Sequence, residues 1–226
     1  MNIIVSGASQ GIGRDTVINL ANSGHHVLAI ARSKERLVQL KEQYPLVETL
    51  SLDLSKERPY APLVEKLKEW GRVDGLINNA GQLINLPFMQ TSPQQFIEQY
   101  QGNVITVVNL VQTCFPFLGK GSHVVNISSM GGVQGSSKFA GLSAYSASKG
   151  ALTILTECMA EEFKERGISV NALALGAVQT EMLQKAFPSY SAPITSREMA
   201  AFIADFVLTK GKYFNGKVLP VALGNP

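Results

Sequence analysis

The sequence Ser6-Gly7-Ala8-Ser9-Gln10-Gly11-Ile12-Gly13 lies between a short apolar run, residues 2–6, and a helical pattern, residues 14–23. Glycines at such a turn adopt positive φ without strain and let the backbone approach a ligand closely. The first amide groups of the following helix can bind an anion such as a diphosphate. The stretch predicts a dinucleotide-binding turn, although the same glycines would also serve a purely structural tight turn. Its proposed cofactor-binding residues are Gly7, Ser9, Gln10, Gly11, Ile12 and Gly13.

Outward from this turn, β-branched runs alternate with helical stretches along the whole chain. The predicted strands are 2–6, 26–30, 48–52, 73–78, 123–128, 168–175 and 217–221. Strands separated by helices indicate a parallel sheet covered on both faces. We therefore predict an α/β fold: a single doubly wound Rossmann-type domain over residues 1–226, with a seven-stranded parallel sheet and helices on both faces. Residues 131–142 and 181–195 lack periodicity and follow strand ends, where ligands bind in such folds.

Composition excludes several classes of protein. The 226 residues carry a formal net charge of only +3, which argues against nucleic acid as a partner. With 45% hydrophobic and 16% charged residues, the chain has ample core material, and we expect part of its surface to be buried in an oligomer. Cys114 and Cys158 form no metal-binding pattern, so we expect buried thiols, no metal and a reducing compartment. The absence of a long apolar run predicts no membrane span and a cytoplasmic protein.

Two motifs of hydrolases also occur. Gly7-Ala8-Ser9-Gln10-Gly11 satisfies the GxSxG pattern of a nucleophilic serine, and Asp74 and His123 would complete a triad in the right chain order. This interpretation leaves Gly13 unexplained and places His123 at the start of a strand. Residues 146–149 fit an SxxK pattern, but no accompanying SDN or KTG motif is present. A serine hydrolase is the less favoured alternative.

Tyr145 and Lys149 suggest acid–base chemistry. They are four residues apart, so on a helix they lie on one face within reach of each other. A nearby cation favours the phenolate, so we expect the pKa of Tyr145 to fall toward neutrality, where the phenol can donate or accept a proton. Ser129, at the end of the fifth strand, would stabilise charge on a substrate oxygen. Alternation along the strand leaves open whether Ser128 or Ser129 faces the cleft.

Four further segments, taken together with the glycine turn, resemble the short-chain dehydrogenase/reductase family over residues 2 to about 180. They are Asn78-Asn79-Ala80-Gly81, Asn103, Ser128-Ser129 and Tyr145-Ser146-Ala147-Ser148-Lys149. The resemblance implies an oxidoreductase with Asn103, Ser129, Tyr145 and Lys149 as catalytic residues. Lys149 would also hold the cofactor ribose, and Asn103 would position a water that links the lysine to solvent. Asn79, Ala80 and Gly81 would join the cofactor site.

The segment after the second predicted strand bears on the choice of cofactor. NAD sites place an acid about 20 residues past the glycines, whereas an arginine there accommodates a 2′-phosphate. Here Ala31 is followed by Arg32 and Ser33, which favours NADP(H) over NAD(H). Ser33 could instead only cap a helix while Arg32 is solvated. Many NADP-dependent relatives carry a second basic residue where this chain has Gln10, and Arg14 is the proposed substitute. Asp53 and Leu54 are expected at the adenine, although an acid there is often only a turn cap.

The last part of the resemblance departs from the family pattern. Leu175-Gly176 replaces the usual Pro-Gly, while Val178 and Thr180 remain to hold the nicotinamide, so we expect Gly176, Val178 and Thr180 to bind it. Apolar residues in the two irregular stretches favour a small, mostly apolar carbonyl or alcohol substrate; they are Met130, Phe139, Leu142, Met182, Leu183, Phe187 and Tyr190. An NADP(H)-binding sensor without turnover is the alternative. Relatives assemble through helices matching residues 93–117 and 144–166, which implies a homodimer or homotetramer.

Overall fold

The computed structural model describes residues 1–56 and 60–224. Its strands, in chain order, are β1 (Asn2–Ser6), β2 (His26–Ala31), β3 (Val47–Ser51), β4 (Gly75–Asn78), β5 (His123–Ser129), β6 (Ser169–Leu175), β7 (Val178–Gln179), β8 (Ile194–Thr195) and β9 (Val218–Val221). Seven of them form one parallel sheet in the order β3-β2-β1-β4-β5-β6-β9. The predicted seven-stranded parallel sheet is confirmed.

The α-helices are α1 (Gly11–Asn22), α2 (Lys34–Gln43), α3 (Ala61–Trp70), α4 (Pro93–Tyr100), α5 (Thr106–Cys114), α6 (Ser143–Glu162), α7 (Glu181–Ala186) and α8 (Ser196–Thr209). Several begin where the sequence offers a cap. Ser92 accepts a hydrogen bond from the amide of Gln95, whose side chain bonds back to Ser92, and Pro93 stands at the first helical position. These are the contacts of a capping box, which fixes the start of α4.

Helices cover both faces of the sheet because its strands are apolar on both sides. In β1, Ile3 and Val5 belong to one core cluster with residues of α1, α2 and α8, whereas Ile4 belongs to a second cluster with residues of α3, α5 and α6. All three β1 side chains are fully buried. A strand buried on both faces reads as a continuous apolar run, which is how β1 appears in the sequence.

The sheet order reverses between β1 and β4, and this reversal positions the site. From β1 the chain first adds strands on one side, β2 and β3, and then on the other, from β4 onward. The segments that leave β1 and β4 in opposite directions open a crevice outside the carboxyl ends of the strands. The glycine turn follows β1 and the Asn79-Ala80-Gly81 segment follows β4, so both lie at this crevice.

Two features of the fold differ from the sequence expectations. The helical stretch from Pro93 contains a π turn, Gln101–Ile105, between α4 and α5. The stretch 181–195, which lacks a periodic pattern, contains the short helix α7 and strand β8, which pairs in parallel with β7. Helix α7 and strand β8 depend on tertiary contacts, because a six-residue helix and a two-residue strand are too short to form alone.

Within the part of the chain that the structure describes, no helix is both long and apolar enough to cross a membrane. In the same residues, no three His, Cys, Asp or Glu side chains come together as metal ligands would. Cys114 is buried as expected, but Cys158 is exposed, so the expectation of a buried thiol is wrong for Cys158.

Candidate active site

A cavity of about 1300 Å³ lies at the carboxyl end of the sheet and gathers the predicted site residues. Those that line it are Gly7, Ser9, Gln10, Gly11, Ile12, Arg32, Ser33, Asp53, Leu54, Asn79, Ala80, Gly81, Ser129, Tyr145, Lys149, Gly176, Val178 and Thr180. Two predicted residues, Gly13 and Asn103, do not line it. The volume exceeds that of ordinary small-molecule pockets and is enough for a dinucleotide with a second small molecule.

The glycine turn is fixed to the segment after β4. Gly7 and Gly11 have φ of 67° and 53°, which favours glycine at both positions. A Cβ on Gly7 would lie 2.8 Å from the Ala80 Cα, so the two backbones pack directly. The Asn79 amide donates to the carbonyls of Ser6 at 3.1 Å and Gly7 at 3.3 Å. Asn79 therefore holds the turn in shape from the neighbouring strand.

Gly13 packs the first helix against this turn. A Cβ there would overlap the carbonyl oxygen of Gly7 and the side-chain amide of Asn79. Gly13 does not line the cavity, and its contact with the cofactor stays a prediction. Its missing side chain instead lets α1 approach β1, which leaves the start of α1 beside the cavity.

The start of α1 fits an anionic group. Gln10 is the N-cap, in extended conformation, but its side chain does not cap the helix and instead accepts a hydrogen bond from Arg36. The first amide groups of α1 are therefore not satisfied by a capping side chain. A helix N-terminus of this kind, preceded by glycines, binds phosphate through its amides and its dipole. The residues present fit the diphosphate of a dinucleotide.

The segments after β2 and β3 form the end of the cavity where the sequence predicts the adenine. Arg32 is exposed, and Ser33 accepts from the amide of Arg36 at 3.5 Å as the N-cap of α2. Asp53 accepts hydrogen bonds from the Ser55 amide at 3.0 Å and hydroxyl at 2.7 Å, and the hydroxyl bond is the main cause that lowers its pKa. Ser33 and Asp53 are thus local caps and at the same time line the cavity.

The two serines at the end of β5 point to different surroundings. The Ser128 hydroxyl is buried and donates to the carbonyl of Lys149 at 3.1 Å. Ser129 is half-buried, accepts from the amide of Gly131 at 3.2 Å, and its side chain acts to lower the pKa of Tyr145. Strand alternation produces this difference, and it leaves Ser129 as the serine beside the phenol.

Lys149 lies one helical turn after Tyr145 and is buried. Its Nζ donates to the carbonyl of Ile127 at 2.8 Å and lies 5.9 Å from the centroid of the Tyr145 ring. Only 5% of the residue is exposed, and burial lowers the pKa of Lys149 to about 8. The sequence placed these two side chains on one helix face, and the structure brings them together with Ser129.

The pKa of Tyr145 departs from the sequence expectation. Burial raises the pKa of Tyr145 above its ordinary value of 10, and the neighbouring Ser129 side chain only partly opposes this. Desolvation disfavours the phenolate more than the nearby groups favour it. The expected fall of the Tyr145 pKa toward neutrality is therefore wrong for the protein alone, and the phenol is held protonated.

Asn103 lies in the π turn and has its side-chain polar groups engaged. Its Oδ1 accepts from the Gln82 amide at 2.8 Å, and its Nδ2 donates to the Gln82 carbonyl at 3.0 Å and to the Ser148 hydroxyl at 2.9 Å. Ser148 in turn donates to the Tyr145 carbonyl at 2.7 Å. Asn103 therefore joins the segment after β4 to the first turn of α6, and through them it positions Gly81 and Tyr145.

The segment after β6 forms another wall of the cavity. The Gly176 amide donates to the Val221 carbonyl at 3.0 Å, which continues the pairing of β6 with β9 despite Leu175 in place of the usual proline. Thr180 is the N-cap of α7 and accepts from the Leu183 amide at 3.1 Å. The Thr180 hydroxyl thus supports the helix that covers the cavity.

Helix α7 is held at both ends by residues that the sequence reasoning missed. At its start, the Arg36 guanidinium lies 3.5 Å from both carboxylate oxygens of Glu181. At its end, the Asn85 amide donates to the Ala186 carbonyl at 2.8 Å. Asn85 and Ala186 are far apart in sequence, so no local pattern marks their contact. For Arg36 the sequence offered one signal. It lies three residues after the cap Ser33, which places it in the first turn of a helix that begins at the predicted cofactor site.

Ser9, Asp74 and His123 do not form the triad that a serine hydrolase would need. Ser9 lies beyond the carboxyl end of β1, whereas Asp74 precedes β4 and His123 is the first residue of β5, at the amino ends of parallel strands. The His123 ring is buried, with Nδ1 3.1 Å from the Val207 carbonyl and Nε2 3.0 Å from the Asn171 amide. The length of the strands therefore separates Ser9, at their carboxyl ends, from the other two groups at their amino ends.

Comparison with known proteins agrees with this geometry. The family model described as short chain dehydrogenase matches residues 1–191. Carbonyl reductase (NADPH) 2 of Sus scrofa is 35% identical over 185 residues, which cover 80% of this chain and 73% of that protein. L-xylulose reductase of Mesocricetus auratus is 35% identical over 182 residues, covering 79% and 72% of the two chains.

Solved structures share the fold over nearly the whole chain. A short chain dehydrogenase from Burkholderia cenocepacia in complex with NADP superposes with a TM-score of 0.87 at 26% identity, covering 99% of this chain and 96% of the other. A 3-ketoacyl-(acyl-carrier-protein) reductase from Brucella melitensis has a TM-score of 0.88 at 22% identity, covering 99% and 97%. With the family match, these findings show that the chain belongs to the short-chain dehydrogenase family of oxidoreductases, which transfer hydride between a nicotinamide dinucleotide and a carbonyl or alcohol.

Proposed function

We propose that the protein is an NADP(H)-dependent carbonyl reductase that acts on compact, mostly apolar ketones or aldehydes. The observation that carries the proposal is the convergence of Ser129, Tyr145 and Lys149 on one cavity with the glycine turn. An NADP(H) sensor without turnover is the second candidate. The protonated phenol beside Ser129 and Lys149 argues against it, because a sensor has no use for a proton donor that lines a substrate cavity.

The cofactor, when bound, would supply the hydride. The chain's own residues would supply the proton and hold the oxygen that receives it. The raised pKa of Tyr145 keeps its hydroxyl protonated beside Ser129, so the hydroxyl can donate to a carbonyl oxygen placed between the two side chains. Ser129 would donate a second hydrogen bond that stabilises negative charge on the same oxygen. In the reverse direction Tyr145 would accept the proton of an alcohol.

Lys149 would provide the positive charge that stabilises the Tyr145 phenolate during this proton transfer. Below its pKa of about 8 the ammonium is present, and a cation near the phenol stabilises the phenolate left after donation. We propose that Lys149 also holds ribose hydroxyls, since it lines the cavity next to Gly81. Asn103 acts as a positioning residue: with its polar atoms engaged, it holds the Gln82 backbone and Ser148.

NADP(H) is preferred over NAD(H) in this proposal because of the charge after β2. Arg32 is exposed and lines the cavity where a 2′-hydroxyl or 2′-phosphate is recognised in this fold. The pig relative named for NADPH and the Burkholderia structure with NADP support the same choice. The glycine-turn residues, with Asp53, Leu54, Asn79, Ala80, Gly176, Val178 and Thr180, would complete the site.

The substrate end of the cavity is lined mostly by apolar side chains. They are Leu83, Met130, Phe139, Leu142, Met182, Leu183, Phe187 and Tyr190. Such a lining offers few partners to the hydroxyls of a sugar, which favours an apolar carbonyl over a polyol. A panel of ketones, aldehydes and sugars, followed by NADPH oxidation, tests the proposal. A clear preference for charged or polyhydroxylated substrates would contradict it, and tight NADPH binding without turnover of any compound would favour the sensor.

We further propose one domain over residues 1–226, a cytoplasmic location and assembly as a homodimer or homotetramer. The sheet that joins Asn2 to Val221 supports the single domain. Large apolar side chains on two adjacent helices support the assembly: Ile97 and Tyr100 on α4 are 59% and 46% exposed, and Ile154 on α6 is 60% exposed. Sedimentation in solution tests the assembly, and a monomer at all concentrations would contradict it.

A further inference from the structure

Arg36 is a second arginine at the adenine end of the cavity, and its role rests on the proposed use of NADP(H). It belongs to α2, lines the cavity and turns its guanidinium toward the glycine turn. There it donates to the Gln10 side chain and lies 3.5 Å from both carboxylate oxygens of Glu181. Arg36 therefore connects three segments that converge on one end of the cavity.

Arg14, which the sequence offered as the substitute for a basic residue at position 10, does not serve that role. Its guanidinium pairs with Asp15 at 3.6 Å, and it does not line the cavity. The cation that reaches Gln10 comes instead from α2. The place that a basic side chain would take in the glycine turn is thus approached by Arg36 from the first turn of α2.

We propose that Arg36 is the second ligand, with Arg32, of a 2′-phosphate, and that Glu181 competes with that phosphate for the guanidinium. Arg36 and Glu181 are 46% and 51% exposed, and ion pairs of this exposure contribute little. A phosphate can accept two parallel hydrogen bonds from a guanidinium and forms stronger charge-assisted bonds. The exchange of Glu181 for phosphate is therefore favourable, and Gln10 keeps the guanidinium at the cavity wall during it.

The competition would sharpen discrimination between the two nicotinamide cofactors. A dinucleotide without the 2′-phosphate gains nothing from Arg36 and leaves the Arg36–Glu181 pair in place. A dinucleotide with the phosphate releases Glu181, the first residue of α7, from its partner. Removal of the Glu181 charge should therefore favour the phosphorylated ligand selectively.

The test is the binding of 2′,5′-ADP and 5′-AMP, measured by calorimetry on the full chain. These probes differ only in the 2′-phosphate. Arg36→Ala should weaken 2′,5′-ADP by at least about tenfold and leave 5′-AMP nearly unchanged. Lys34→Ala is the matched control, since it removes an equal charge from the same helix at a residue that does not line the cavity; its effect should stay below about threefold. Glu181→Gln should strengthen 2′,5′-ADP severalfold without affecting 5′-AMP.

Each part of the proposal has its own contradicting result. Equal losses for Arg36→Ala and Lys34→Ala would show that Arg36 acts only through overall charge, and an unchanged Glu181→Gln variant would remove the competition. In either case a wild-type preference for 2′,5′-ADP would leave the proposed NADP(H) use standing. A wild-type protein that binds both probes equally would overturn that use, and the role of Arg36 with it.

Discussion

Lys149 is a charged side chain in surroundings that disfavour charge. Burial lowers its pKa to about 8, while in the unfolded chain the value is near 10.5. Below pH 8 the lysine is protonated in both states, so the folded state bears the cost of a buried ammonium. That cost is offset in part by the 2.8 Å bond to the Ile127 carbonyl. Residues placed in this way are typical of sites where function, rather than stability, selects the side chain.

Replacing Lys149 by methionine should therefore separate activity from stability. We expect Lys149→Met to lose at least about 10²-fold in turnover, because the phenol loses its cation. Its free energy of unfolding at pH 7 should stay equal or rise, since the cost removed is of the same order, about 3 kcal/mol, as the hydrogen bond lost. Urea unfolding alongside steady-state kinetics measures both. A loss of several kcal/mol would mean that Lys149 is mainly structural.

Arg32 is the residue whose charge most directly bears on cofactor choice. Arg32→Ala should weaken NADPH by about 1.5 to 3 kcal/mol, the range for hydrogen bonds to charged groups, because one ligand of the 2′-phosphate is lost. NADH should bind almost as before. Fluorescence titration with each cofactor measures the two affinities, and equal losses for both would contradict the assignment.

At the scale of elements, the sequence marked the strands but not the contacts between loops. The continuous apolar runs of β1 and β2 are visible because both faces of the sheet are covered. The π turn at Asn103 has no comparable signal, since one extra residue only shifts the phase of the apolar pattern between two short helices. The Asn85–Ala186 and Arg36–Glu181 contacts were also not predicted, because they depend on how α2, α7 and the segment after β4 meet at the carboxyl end of the sheet.

Gly13 gives a test in which helix propensity and packing predict opposite signs. Inside α1, alanine is intrinsically better than glycine by about 1 kcal/mol. However, a Cβ at residue 13 would overlap the Gly7 backbone and the Asn79 amide. We expect Gly13→Ala to destabilise the protein by about 1 to 3 kcal/mol and to weaken cofactor binding as the turn shifts.

The control is Gly119→Ala, whose Cβ would meet only the Arg72 guanidinium at an ordinary 3.5 Å. Thermal unfolding of both variants decides the matter. If Gly13→Ala were as stable as the unmodified protein, the close packing of α1 on the turn would not be required.

At the scale of the whole molecule, His123 makes stability depend on pH far from the active site. It is buried among β5, β6 and α8, and burial lowers its pKa from 6.5 to about 4. Between these values the unfolded state binds a proton that the folded state excludes. Stability therefore falls as pH decreases from 6.5 to 4, by about 3 kcal/mol from this residue.

His123→Gln should lose this contribution. Chemical unfolding at pH 7.5 and pH 4.5 gives the change in stability for each protein, and we expect the change to be smaller in the variant by about 2 kcal/mol or more. An identical pH dependence in both proteins would show that the ring does not titrate in this range.

The fold as a whole was predictable because the order of strands and helices, and the glycine turn, are local patterns that agree with one another. The residues that meet at the cavity were predictable where a family motif marks them, as for Tyr145 and Lys149, or where they lie in an irregular stretch after a strand, as for Leu183. The protonation of Tyr145 was not, because its pKa depends on burial that sequence cannot give.

The most direct test of the catalytic account is the turnover of Tyr145→Phe with NADPH and a ketone or aldehyde that the wild-type protein reduces, measured as the loss of absorbance of NADPH. Phenylalanine keeps the ring and removes only the proton donor. The account predicts that turnover falls by about 10² to 10⁴ while NADPH still binds. A phenylalanine variant as active as the wild type would contradict the role of this phenol and, with it, the proposed chemistry of the site.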